Sequence, residues 1–107
     1  MEKNRLFCSK IYNVTASFHN EEKFGITNQL RRAAVSIPSN IAEGSSRNSN
    51  KDFARFLKIA IGSAYEVETQ LLISSDLGFI NEENTIELIN LLEEITKMTS
   101  RFRATLL

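Results

Sequence analysis

Cys8 and His19 are the only cysteine and histidine in the chain, and they are the residue types best suited to nucleophilic or metal chemistry. A thiol becomes a working nucleophile when a base stands within hydrogen-bond reach. On one continuous helix these two residues would lie roughly 16 Å apart by helix rise, which is too far for such a pair. A di-metal centre inside a helical bundle is built from glutamates and Glu-x-x-His pairs. No Glu-x-x-His occurs in this sequence. Gly44 stands alone, so there is no glycine-rich loop to cradle a phosphate. These observations point away from an enzyme, and no metal or cofactor is expected. Cys8 reads as a small packing residue.

Charge offers a different chemistry. Lys51, Arg55 and Lys58 are spaced four and three apart, so a helix places them on one side, and Arg47 precedes them in a loop. Together they form a candidate phosphate-binding face. From 31 to 58 there are six basic and two acidic residues, a balance of +4; from 61 to 95 there are eight acidic residues and no basic one. The whole chain carries no formal net charge, so no global field draws it to nucleic acid. Four cations would give modest, salt-sensitive phosphate binding, strengthened if an oligomer repeats them. No aromatic residue is expected to interleave with them, and base stacking is not suggested. The competing reading is that the basic and acidic segments meet between subunits of a scaffold.

Glu68 is the third feature. At 100° per residue it falls among Leu57, Ile61, Ala64 and Leu71, on the apolar side of its helix. A carboxylate near a core must be paired, hydrogen-bonded or protonated. Arg31, which flanks the apolar stripe of the preceding helix, is the expected partner in a structural ion pair.

The spacing of apolar residues is helical throughout. Phe7, Ile11, Val14 and Phe18 form a first stripe. Asn20 reads as the N-cap of a second helix, with Glu21 and Glu22 in its first turn. The stripe of that helix is Ile26, Leu30, Ala33, Ala34, Ile37 and Ile41. Pro38 falls inside it and predicts a kink, not a stop, because the stripe resumes at Ile41. Asn40 is a candidate donor to backbone groups that Pro38 frees. The run from Gly44 to Asn48 reads as a loop, with Gly44 near the C-cap.

Ser49, Asn50, Lys51 and Asp52 read as a capping-box start for a third helix. Phe53, Phe56, Leu57, Ala60, Ala64, Val67 and Leu71 line it, and Asp76, Leu77 and Gly78 end it. Asn81 caps a fourth, lined by Leu88, Leu91, Leu92, Ile95, Phe102 and Leu106. Arg32, Ser36, Ser39 and Glu43 lie along the polar side of the second helix, which suits solvent or a subunit contact. Short links between four helices predict an all-α, antiparallel up-and-down bundle in one domain over 1–107. The N-terminal residues do not resemble a signal peptide, and no run approaches ~18 apolar residues, so a cytoplasmic protein is expected.

The run Gln29-Leu30-Arg31-Arg32-Ala33-Ala34-Val35-Ser36-Ile37-Pro38-Ser39-Asn40-Ile41-Ala42-Glu43-Gly44 resembles the signature of the 23S rRNA intervening-sequence protein family, also called the four-helix bundle protein family. A second block, Phe56-Leu57 and then Ala60 to Leu71, agrees with it. The N-terminus departs from the family pattern, which has a longer first helix and a proline near His19. The resemblance implies a four-helix bundle assembled as a ring-like homopentamer. Some members are encoded within insertions in bacterial large-subunit ribosomal RNA genes. A similar protein serves diversity-generating retroelements, binding nucleic acid and a reverse transcriptase. No catalytic residues carry over. The expected function is therefore a non-catalytic, homo-oligomeric module that contacts RNA or DNA through Arg47, Lys51, Arg55 and Lys58. The alternative is a self-assembling scaffold for a protein partner.

Overall fold

The computed structural model describes residues 1–22 and 25–107. They form α1 (Glu2–Thr15), a short 3-10 helix (Asn20–Glu22), α2 (Ile26–Ser45), α3 (Asn50–Asp76) and α4 (Glu82–Thr105). Each helix packs on its sequence neighbour, and α1 also packs on α4, which closes the square. Cross-links show the directions. Arg31 reaches Thr15 while Ala34 meets Cys8. Gln70 bonds Gln29 while Ser63 bonds Ser36. Glu94 pairs with Lys3 and Glu87 with Lys10. In each case one number rises as the other falls, so neighbours run antiparallel, as an up-and-down bundle requires.

The core follows the stripes. Phe7, Ile11, Leu30, Ile37, Leu57, Val67, Leu71, Leu88 and Leu92 are almost completely buried. Alanines 33 and 34 of α2 and 60 and 64 of α3 are buried in the core, where small side chains leave room for helices to approach closely. Phe102 departs from the expectation. It is exposed, with its ring edge-to-face against Phe53 at 5.3 Å.

Several ends differ from the sequence reading. The first helix stops at Thr15, whose hydroxyl bonds back to the Ile11 carbonyl at 2.7 Å. Phe18 lies beyond the helix yet remains buried, stacked against Phe79 at 5.5 Å. Asn20 does not cap α2. It opens the 3-10 turn, and α2 starts at Ile26, where the apolar register itself begins. The caps of α3 and α4 are as read: Ser49 Oγ accepts from the Asp52 N–H, and Asn81 Oδ1 from the Asn84 N–H. After α3 the Phe79 N–H bonds the Ser74 carbonyl and the Gly78 N–H the Ser75 carbonyl. That paired closure needs a left-handed residue, and Gly78 supplies it at φ 79°.

Helix α2 runs unbroken through Pro38, so the proline is not a stop. A kink at that point stays an expectation of the sequence. Pro38 has no N–H to give the Ala34 carbonyl. The donor that replaces it is Cys8, whose thiol meets the Ala34 oxygen at 3.3 Å. Asn40, the expected donor, bonds the Ser36 carbonyl and hydroxyl instead. Burial raises the Cys8 pKa above its ordinary value. The folded state then holds the thiol proton more tightly than the unfolded chain does. This contribution is fully present below the unfolded thiol pKa of about 8.5 and is lost as pH rises beyond it. We expect the melting temperature of the native chain to fall more steeply above about pH 8.5 than that of Cys8→Ser. Parallel melting curves for the two would refute this.

Candidate nucleic-acid interface

Helix α3 begins where Ser49 caps it, and this fixes the four cations. Lys51 and Asp52 fall in the first turn, with Arg55 and Lys58 one and two turns on. Arg47 comes from the link after α2. All four line one open groove of about 870 Å³ at the end of the bundle. Arg103 joins them from α4, its Nε donating to the Ala54 carbonyl at 3.2 Å. Because α4 is antiparallel to α3, its C-terminal turn meets the start of α3. Spacing within α4 alone does not place Arg103 here. The register of α3 against α4 would have revealed it.

The groove is not uniformly positive. Glu43 and Asp52 also line it. Arg47 Nη2 donates to Glu43 Oε1 at 2.6 Å, and its Nε lies 3.9 Å from Asp52 Oδ2. Arg55 Nε donates to Asp52 Oδ1 at 3.0 Å. Asp52 also sits where the N-terminal dipole of α3 favours a carboxylate. Among the described residues, Lys51 and Lys58 have no ion-pair partner. The face thus holds two committed arginines and two uncommitted lysines.

An aromatic ring does belong to this face, against the expectation. The guanidinium carbons of Arg47 and Arg55 lie over the Phe56 ring, 4.7 and 4.5 Å from its centroid. The ring is buried, so it holds the arginines in place through cation–π attraction and offers little surface to a base. The sequence showed Phe56 beside Arg55, but its core-facing spacing concealed the contact.

The proposed Arg31–Glu68 pair is not formed. Arg31 turns towards α1: its Nε donates to Thr15 Oγ1 at 2.8 Å, Nη2 reaches the Tyr12 carbonyl at 3.3 Å, and the guanidinium lies over the Tyr12 ring. The reason is rotation about α2. Arg31 sits on the flank that faces α1, whereas Gln29 and Ser36 sit on the flank that faces α3. Glu68 is partly exposed, so water can solvate its carboxylate without an arginine.

Cys8 is engaged with the Ala34 carbonyl, and His19 lies edge-on to Phe79 beyond the end of α1. Among the described residues no cluster of three or more His, Cys, Asp or Glu side chains is placed to hold a metal. No described helix is long and apolar enough to cross a membrane.

A family model described as "23S rRNA-intervening sequence protein" matches residues 1–101. Among solved structures, the chain is similar to a protein of unknown function from the S23 ribosomal protein family of Bacteroides thetaiotaomicron. The TM-score is 0.88 at 30% identity, and 95% of each chain is covered. No curated protein matches.

Proposed function

Because this chain belongs to the 23S rRNA-intervening sequence protein family, we propose that it is a non-catalytic, self-assembling module that binds structured RNA through the groove of Arg47, Lys51, Arg55, Lys58 and Arg103. The observation that carries this reading is convergence. Cations from the α2–α3 link, from α3 and from α4 line one open groove. Lys51 and Lys58 act as mobile point charges. The arginines, held on Phe56, present fixed planes that can exchange a carboxylate for a phosphate. The contacts are to phosphate, so binding is insensitive to sequence. Repetition of the groove in a homo-oligomer, five-fold as the resemblance implies, supplies avidity. The module acts in the cytoplasm.

A scaffold for a protein partner is the second reading, and the pairing of Arg47 and Arg55 with Glu43 and Asp52 favours it. Anisotropy of labelled structured RNA at about 50 and 200 mM salt separates the two. Phosphate binding by two to four cations per subunit weakens by roughly ten- to a hundredfold across that range. No binding at the lower salt supports the scaffold.

Asp52→Asn is a sharper probe. It keeps the first-turn geometry, removes one negative charge from the groove and releases Arg55, while Arg47 keeps its bond to Glu43. We expect RNA affinity to rise by roughly threefold to tenfold at the lower salt. Helix stability should fall by about 0.5 kcal/mol, since a first-turn carboxylate is lost. Unchanged or weaker binding would count against a phosphate site in this groove.

A further inference from the structure

We propose that the hollow between the start of α1 and the last turns of α4 binds a small, uncharged aromatic molecule that carries a lactam edge, an N–H beside a carbonyl. The register of the two helices opens the hollow. Lys3 pairs with Glu94 and Lys10 with Glu87, so α4 continues about two turns beyond the start of α1. Along those turns α1 gives α4 no cover, and Met98 and Phe102 are 52% and 46% exposed. Ile41 of α2 and Leu57 of α3 line the same space. Its volume is about 490 Å³, within the range of small-molecule sites.

The amide of Asn4 lines this apolar space and is 7% exposed. Its Oδ1 is buried and has no donor among the described residues. Its Nδ2 meets the Met1 sulfur at 4.0 Å, and a thioether is a weak acceptor. The nearby polar groups are engaged elsewhere. Lys3 pairs with Glu94, and Thr99 gives its hydroxyl proton to the Ile95 carbonyl at 2.7 Å. A buried amide with neither end well paired is costly and rare. It calls for a donor at one end and an acceptor at the other. A lactam edge supplies both in one plane, and an aromatic ring behind that edge fills the apolar walls.

Both methionines of the chain, Met1 and Met98, line the hollow. Their unbranched, polarizable side chains re-pack readily around a flat ring. Met1 touches the amide and swings aside to admit the ligand. Glu2, also at this hollow and in no ion pair among the described residues, disfavours an anion. No residue that lines this hollow also lines the groove of Arg47 and Lys51, so the site stands apart from RNA binding.

The test is a titration of the intact chain, with isotope-labelled methionine methyl groups, by the bicyclic lactam carbostyril. We expect both methyl signals to shift together, with a dissociation constant on the order of 0.1–1 mM. N-Methylcarbostyril has the same rings but no N–H, and should bind at least about tenfold more weakly. Asn4→Leu should keep the native helical circular dichroism spectrum and bind the two compounds alike. Methyl signals that stay in place at about 2 mM carbostyril overturn the site. Equal affinities of the native chain for the two compounds overturn the lactam edge, and that comparison needs no variant. A folded Asn4→Leu chain that still prefers carbostyril overturns the role of Asn4. Signals that shift with protein concentration alone would give the hollow to a second copy of the chain and overturn the proposal as well.

Discussion

Changing Lys51, Arg55 and Lys58 together to alanine is expected to abolish measurable RNA binding at 200 mM salt and to lower the salt slope at 50 mM by about two to three. Each phosphate neutralised by a cation releases condensed counterions, and each lost contact removes about one unit from the slope of log affinity against log salt. The slope is the better readout, because it counts contacts, whereas affinity also reports folding and avidity. All three side chains are exposed, and alanine is the strongest helix former, so the fold should survive with stability within about 0.5 kcal/mol of native. Arg55 also stacks on Phe56 and bonds Asp52. A small loss of order at the start of α3 is therefore built into the variant. A control that keeps the stack, Lys51→Ala with Lys58→Ala, should lower the slope by about two. A slope that ignores all these changes would transfer RNA binding to another surface or remove it.

The sequence made helices legible where burial is periodic. The stripes of α3 and the caps Ser49 and Asn81 were readable because one helix contains both partners of each interaction. The basic face was readable for the same reason: Lys51, Arg55 and Lys58 share one helix. Relations between helices were not readable. Arg31 and Glu68 lie on apolar-flanking positions of adjacent helices, but which flank faces which neighbour depends on the order of packing round the square. Arg31 faces α1, so the pair fails. Arg103 enters the groove, and Cys8 serves Pro38, through the same kind of contact between helices. Sequence spacing gives the angle of a residue about its own axis and does not give the angle of that axis within the bundle.

Two glycines illustrate this distinction. Gly44 and Gly62 look alike in sequence, each a lone glycine near small residues. One is filled by a neighbouring helix of the same chain, and the other is empty. A side chain should therefore disturb packing at the first site and meet no obstacle within the chain at the second.

Gly44→Leu is expected to lower stability by about 3 kcal/mol or more, and Gly44→Ala by about 1 kcal/mol after its better helix propensity is counted. The sequence reading placed Gly44 near a C-cap, as a residue chosen for its backbone. The structure puts it inside the last turn of α2, buried, without a positive φ. Its role is steric. A Cβ at this position would stand 2.8 Å from both Phe53 Cδ1 and Phe56 Cβ. The Phe53 ring can turn away, but a Cβ cannot move without its backbone, so α3 must retreat from α2. For a chain of this size, 1 kcal/mol corresponds to about 4–8 °C in melting temperature. Gly44→Ala should thus melt several degrees early and Gly44→Leu far earlier, as a thermal scan by circular dichroism would record. The displacement also reaches the groove. Phe56 carries Arg47 and Arg55, and Arg47 sits three residues beyond Gly44, so RNA binding by Gly44→Ala should weaken even well below its melting temperature. A Gly44→Ala chain with native stability and native RNA affinity would mean that the close approach of α2 to α3 neither limits the fold nor sets the groove.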